Sequence, residues 1–401
     1  MSSSATPRTP AAVDTSRPLT GVEKIRGPRW WAGRDAVMVY LLVAFVLYAV
    51  LTIPRFASPV TTGFLLLDVI PTLLIAMPMT LIIITGEIDL SVASVAGVSS
   101  AVLGVLWAAG TGIWPAIAAA LLCGLVAGAL NGALIAFLQL PSLAVTIGTL
   151  ALFRGLALVV IGDNAVADFP PELTSLASDK LGATGIPLMM IPALALVVAA
   201  WLLLHKSAFG RGLYAMGYSK EAAQFVGISV EWSKFWLYLA SGLVSAAAGV
   251  FWTFRYTSAR SDNASGLELL VIAAVLLGGV SIFGGRGSII GVVAGVLLIG
   301  SLNYALRLDR VSDVVLVTLT GLLLIASAVA PSIAAATGRR RHDRRLRRRL
   351  AETAAAPEAA GTETAGPEAA GPEPAGPAPA ASPAGPTSTN LAANQADRPL
   401  S

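Results

Sequence analysis

Apolar stretches of near membrane-spanning length recur along most of this chain, separated by short polar breaks. A helix needs roughly 20 such residues to cross the hydrocarbon core, and about ten runs approach that length: 36–53, 62–85, 88–108, 113–138, 142–161, 186–204, 232–254, 267–283, 288–306 and 311–330. They are rich in Leu, Ala, Gly and Val and lack the apolar/polar alternation of barrel strands. Backbone groups in lipid must be satisfied within the segment, so the runs predict helices. The expected class is all-α, a polytopic helical membrane protein with about ten transmembrane helices.

One break is longer than its neighbours. Residues 205–234 are polar and lie between two apolar runs. Within them Ser219 is placed to cap a short helix, Glu221 to sit near its positive end, and Gly227 to end it. Lys220 flanks the cap; Ala222 and Ala223 are small enough for another protein to approach, and Phe225 and Val226 offer an apolar knob. An amphipathic linker helix lying among headgroups fits the same spacing.

Composition agrees with the pattern: of 401 residues, 55% are hydrophobic and 12% charged, with a mean hydropathy of +0.75, which excludes an ordinary soluble chain. Charge then sets an orientation. Lys and Arg in short flanks are retained on the cytoplasmic side, which assigns that side to the loop with His205, Lys206, Arg211, Lys220 and Lys234, to the polar arm 1–35, and to the arginine-rich segment after residue 330. Even numbers of spans separate the three, so both termini are expected in the cytoplasm of a multi-pass protein of the plasma (inner) cell membrane. The arm is too long for a signal-peptide n-region, so the first span is expected to stay in place. The layout is then an arm (1–35), a transmembrane domain (36–331) carrying the loop 205–234, a basic juxtamembrane segment (332–350), and an Ala/Pro/Gly/Glu tail (351–401) whose composition cannot bury a core. The arginine run reads as a flank facing anionic headgroups rather than a nucleic-acid site.

Candidate chemistry is sparse. None of the five lysines follows glycine, so no phosphate-binding P-loop exists and the chain does not hydrolyse ATP by that route. Cys123 is the only cysteine, and His205 and His342 are far apart, so neither a catalytic nor a metal site is expected. The polar residues worth following are few. Glu87 and Asp89 lie at a tight turn between apolar runs, with Ser91 after them; Asp89 suits a helix start. Arg154 falls near the middle of a run, where facing lipid would cost several kcal/mol, so it must meet protein or water, or the segment must break. Asn131, Asn303 and Glu268 are polar groups at membrane depth that need partners, either neighbouring helices or a solute's hydroxyls. Gly124, Gly128 and Gly132, like Gly291 and Gly295, recur every fourth residue and let helices approach closely; packing within one subunit is the simpler account, a dimer seam the other. The two glycine segments lie five runs apart, an odd offset that would suit two inverted five-helix halves.

Several motifs occur together in order: Gly86-Glu87-Ile88-Asp89-Leu90-Ser91, Asn131-Gly132, Thr146-Ile147-Gly148-Thr149, Arg154-Gly155, Glu221-Ala222-Ala223 with Gly227, Leu276-Leu277-Gly278-Gly279, and Phe283-Gly284-Gly285-Arg286-Gly287. Over residues 36–330 the chain resembles permease subunits of ribose-, galactose- and rhamnose-type ABC importers, nearest the rhamnose and furanose-autoinducer groups. Glu87 departs from the glycine more often found in that family. The resemblance implies a non-catalytic transport subunit for a neutral monosaccharide such as rhamnose. Its implied partners are a second permease copy or paralogue, cytoplasmic ATPase subunits that hold ATP and Mg, and an extracytoplasmic solute-binding protein, with no cofactor in this chain. It also implies that the loop 219–227 meets the ATPase. Two other readings share the pattern: a branched-chain amino-acid permease of the same type, and a secondary transporter driven by an ion gradient. An intramembrane enzyme would need a catalytic pair that the sequence does not offer.

Overall fold

The computed structural model describes residues 34–326 except 313, together with residue 329, all within one compact unit. The arm, the arginine-rich segment and the Ala/Pro/Gly/Glu tail expected from the sequence lie outside the described residues. Thirteen α-helices follow one another among those residues: α1 Arg34–Thr52, α2 Pro59–Ile84, α3 Val92–Ala108, α4 Ile113–Ala136, α5 Ser142–Ile161, α6 Pro171–Ser178, α7 Met190–Lys206, α8 Ala208–Tyr218, α9 Lys220–Phe225, α10 Val230–Tyr256, α11 Leu267–Leu277, α12 Ile289–Leu308 and α13 Val314–Ala326. No strand is present among them beyond isolated bridges such as Val166 with Ala259.

Each apolar run contains a helix, and six (α1, α2, α4, α5, α10 and α12) are long and apolar enough to cross a membrane unaided. A seventh, α7, continues into α8 through a 69° bend. The others are shorter than their runs for legible reasons. α11 stops at Leu277 because Gly279 takes a φ of +93°, open to glycine but strained for other residues. α3 begins only at Val92 because the preceding residues form the polar turn described below.

α2 forms the centre: 89% of its apolar stretch is buried, against 11% for α1, whose Leu, Val and Tyr side chains face outward as lipid requires. α2 packs on α10, and each reaches across the other, α2 to α11 and α12, α10 to α3 and α4. The glycines mark the closest approaches. A Cβ on Gly242 of α10 would lie 2.2 Å from the Gly124 carbonyl and 2.8 Å from the Gly128 Cα, so α4 and α10 meet backbone to backbone. Gly132 faces Phe235 of α10, while Gly291 and Gly295 face Gly278 and Ala274 at the end of α11. All five glycines therefore pack against helices of this same chain.

The bundle has two polar ends. At one, the Gly285 amide donates to the Ile84 carbonyl (2.8 Å), the Tyr214 hydroxyl donates to the Gly287 carbonyl (2.7 Å), and α8 and α9 lie beneath the turns between α2 and α3 and between α11 and α12. At the other, Val166 pairs with Ala259, and Gly185 packs on Pro59.

Candidate coupling site

The short helix α9 is built as its residues predict. The Ser219 side chain accepts a hydrogen bond from the Ala222 amide (3.1 Å) and donates to Glu221 (2.9 Å). Gly227 closes the helix at a φ of +84°, with its amide bonded to the Gln224 carbonyl (2.9 Å) and the Ile228 amide to the Ala223 carbonyl (3.0 Å). Ala223 is buried against the bundle, whereas Ala222 and Glu221 face solvent, and Phe225 is 92% and Val226 75% exposed. The exposed Glu221 carboxyl is held below its ordinary range by backbone and Ser219 hydrogen bonds.

What anchors α9 is a carboxylate far away in sequence. Glu87, in the turn between α2 and α3, accepts from Lys220 at 2.8 Å and from Lys234 at 2.7 Å. Lys234, in the first turns of α10, has a side chain only 4% exposed, while that of Lys220 is 47% exposed. Burial pushes the Glu87 carboxyl upward, but hydrogen bonds from Lys220 and Lys234 outweigh it and hold the group below its ordinary value. Burial in turn lowers the Lys220 ammonium, and its bond to Glu87 more than reverses this. Glu87 is thus the knot joining α9, α10 and the turn.

A second set of polar groups lies just inside. Asp89 accepts from the Ser91 amide (3.0 Å) and hydroxyl (2.7 Å), a local turn that leads into α3, and also from the Ser241 hydroxyl of α10 (2.9 Å). Asn131 of α4 donates to Ser91 (2.8 Å), leaving its own carbonyl oxygen buried without a partner. Four of the sequence-selected residues, Glu87, Asp89, Ser91 and Asn131, therefore meet near one end. Arg154, Glu268 and Asn303 do not join them. α5 runs unbroken through Arg154, whose guanidinium donates to the carbonyls of Ser261 (2.8 Å) and Asn263 (2.9 Å) at the opposite end. Glu268 opens α11 with one oxygen buried and unpartnered.

Asn303 belongs to a separate cavity of about 130 Å³ between α2, α10, α11 and α12, lined also by Asp68, Thr72, Trp252, Tyr256 and Arg307. Of these side chains only Asn303 stands out in the sequence as a candidate, and Lys234 reads there as an orienting charge. Asp68 offered a signal, a lone acid inside an apolar run; Lys234 offered none, because its partner is remote. Among the described residues, no cluster of His, Cys, Asp and Glu could hold a metal ion.

With this geometry in hand, likeness to known proteins is specific. Residues 61–328 match the family described as branched-chain amino acid transport system / permease component. The chain is 34% identical to the autoinducer 2 import system permease protein LsrD of Klebsiella pneumoniae over 305 residues, covering 75% of this chain and 91% of that protein. It is 37% identical to the LsrD of Photorhabdus laumondii over 266 residues, covering 65% and 79% respectively, and 37% identical to that of Escherichia coli K12 over 266 residues, covering 65% and 80%. No solved structure matches. The chain therefore belongs to this permease family and is a multi-pass transmembrane transport subunit of the ABC type.

Proposed function

We propose that the chain imports a neutral, hydroxylated solute of the furanose or monosaccharide kind, with ATP hydrolysis supplied by separate subunits that engage α9 from the cytoplasm and with solute delivered outside by a binding protein. The observation that carries this reading is the projection of Phe225 and Val226 from a helix tied into the bundle by Glu87. An exposed aromatic on a rigidly capped helix is a contact anchor for a partner protein. Force applied there reaches the α2–α3 turn and the start of α10 through two short ion pairs, and access is switched by rearranging the helices that these elements carry. The α9 end is then cytoplasmic, as the lysine and arginine distribution requires. The names of the relatives favour the furanose-autoinducer side of the resemblance over rhamnose.

The test is Phe225→Glu in proteoliposomes holding the assembled transporter. Loss of an interface anchor should lower ATP-dependent uptake by about tenfold or more while leaving insertion and folding intact. Uptake at the unaltered level would remove α9 from the mechanism.

A further inference from the structure

The cavity at the end opposite α9 has no assigned role; it adjoins a second hollow that shares Trp252, Asn303 and Arg307 with it and adds Ser265 and Thr320, and its chemistry differs from that of the lipid-facing hollows. The hollows facing the outside of the bundle, between α1, α7 and α12 and between α3, α4 and α5, are lined almost entirely by aliphatic and aromatic side chains, as lipid-facing grooves are. This one brings a carboxylate, a phenol, an amide and a guanidinium together between four helices near one end of the bundle, with the Asp68 and Arg307 side chains 29% and 54% exposed.

The polar groups surround Asp68 at long range, and the Arg255 guanidinium lies over the Phe64 and Tyr256 rings, 5.5 and 5.3 Å from their centroids. Asp68 of α2 stands 3.5 Å from Arg307 of α12, 3.9 Å from Arg255 of α10, and 3.4 Å from the Tyr256 hydroxyl. These distances exceed those of good charge-assisted hydrogen bonds, about 2.7–2.9 Å. The Arg255 Nε is buried without a partner. Trp252 and Tyr256 form an aromatic wall, with ring centroids 5.1 Å apart, and Asn303 adds a donor and an acceptor. A carboxylate that accepts, guanidinium and amide groups that donate, and an aromatic face for C–H bonds together suit a ring bearing adjacent hydroxyls. One hydroxyl donates to Asp68 while its neighbour accepts from Arg307. An anionic ligand would have to settle beside Asp68.

We propose that this cavity is a solute-binding site of the permease itself, taking a neutral polyhydroxylated molecule through Asp68, Arg307, Tyr256 and Asn303 with Trp252 as its apolar wall. The assignment rests on the importer reading and specifies where in the membrane domain the solute is held.

Because Cys123 is the only cysteine, the test is direct. Asn303→Cys is placed in a Cys123→Ala background, and the full chain in lipid nanodiscs is labelled with a water-soluble methanethiosulfonate in the presence of D-ribose, L-rhamnose, xylitol or inorganic phosphate. The thiol should react from solution, and at least one polyol should slow it about threefold or more while phosphate does not. Adding Asp68→Asn, or the milder Tyr256→Phe, should raise the protecting concentration about tenfold, the loss expected on removing a hydrogen bond to a charged group. No labelling, no protection by any polyol, or protection by phosphate would each overturn the assignment. The two readings fail differently. ATP-dependent uptake untouched by Asp68→Asn would remove the cavity and keep the importer, whereas polyol protection without ATP-dependent uptake by the assembled complex would remove the importer and keep the cavity.

Discussion

The two ends of the bundle each carry a carboxylate flanked by two cations, and they are built differently. Glu87 is gripped at 2.7 and 2.8 Å by lysines, one of them almost wholly buried, whereas Asp68 stands 3.5 and 3.9 Å from its arginines beside an open cavity. Short contacts, one of them to a lysine sealed from solvent, hold elements together; long contacts beside a hollow bind their elements less tightly. The difference teaches that similar charge sets serve as a fastening at one end and a receiving surface at the other.

The largest effect should come from undoing the fastening. Glu87→Gln leaves the buried Lys234 without a counter-charge, which costs about 3–5 kcal/mol by analogy with broken buried pairs, and thermal unfolding in detergent should show it. A loss below about 1 kcal/mol would mean that Glu87 and its lysines are not a fastening at all. Asp68→Asn should cost about 1 kcal/mol or less in the same measurement, because its pairs are long and partly solvated. Equal losses at the two sites would erase the contrast. The smallest and most diagnostic effect is pH dependence. The Glu87 carboxyl is held below its ordinary value of 4.5, so its stabilisation is complete above that value and is lost as pH falls through the lower folded value. The raised Lys220 ammonium contributes fully below its ordinary 10.5 and is lost only as pH rises past it. Stability should therefore be flat with respect to Glu87 and Lys220 at neutral pH and slope downward on the acid side, and Glu87→Gln should remove that part of the slope.

Periodicity and turn chemistry made the architecture readable. The apolar runs found their helices, Ser219 and Gly227 bounded α9, and the glycine pairs lay at helix contacts. Arg154 shows how far a single physical argument carries: the cost of charge in lipid demanded a protein or water partner, and backbone carbonyls over a hundred residues away supply it. The identity of those carbonyls was not readable, and neither was the pairing of Glu87 with lysines 133 and 147 positions on, because contacts between remote segments leave no local periodic trace. The cavity was hidden for the same reason. Its walls come from four separate helices, and isolated polar residues such as Asp68 and Asn303 do not announce one another.

The backbone contact at Gly242 has a mechanical meaning. α10 is 27 residues long, about 40 Å at 1.5 Å per residue. It begins beside Lys234 and ends at Arg255 and Tyr256, and its crossing with α4 falls between them. In the proposed importer, a rod clamped against α4 from Phe235 to Ala246 would carry a push at its α9 tip along its length toward the tip beside Asp68.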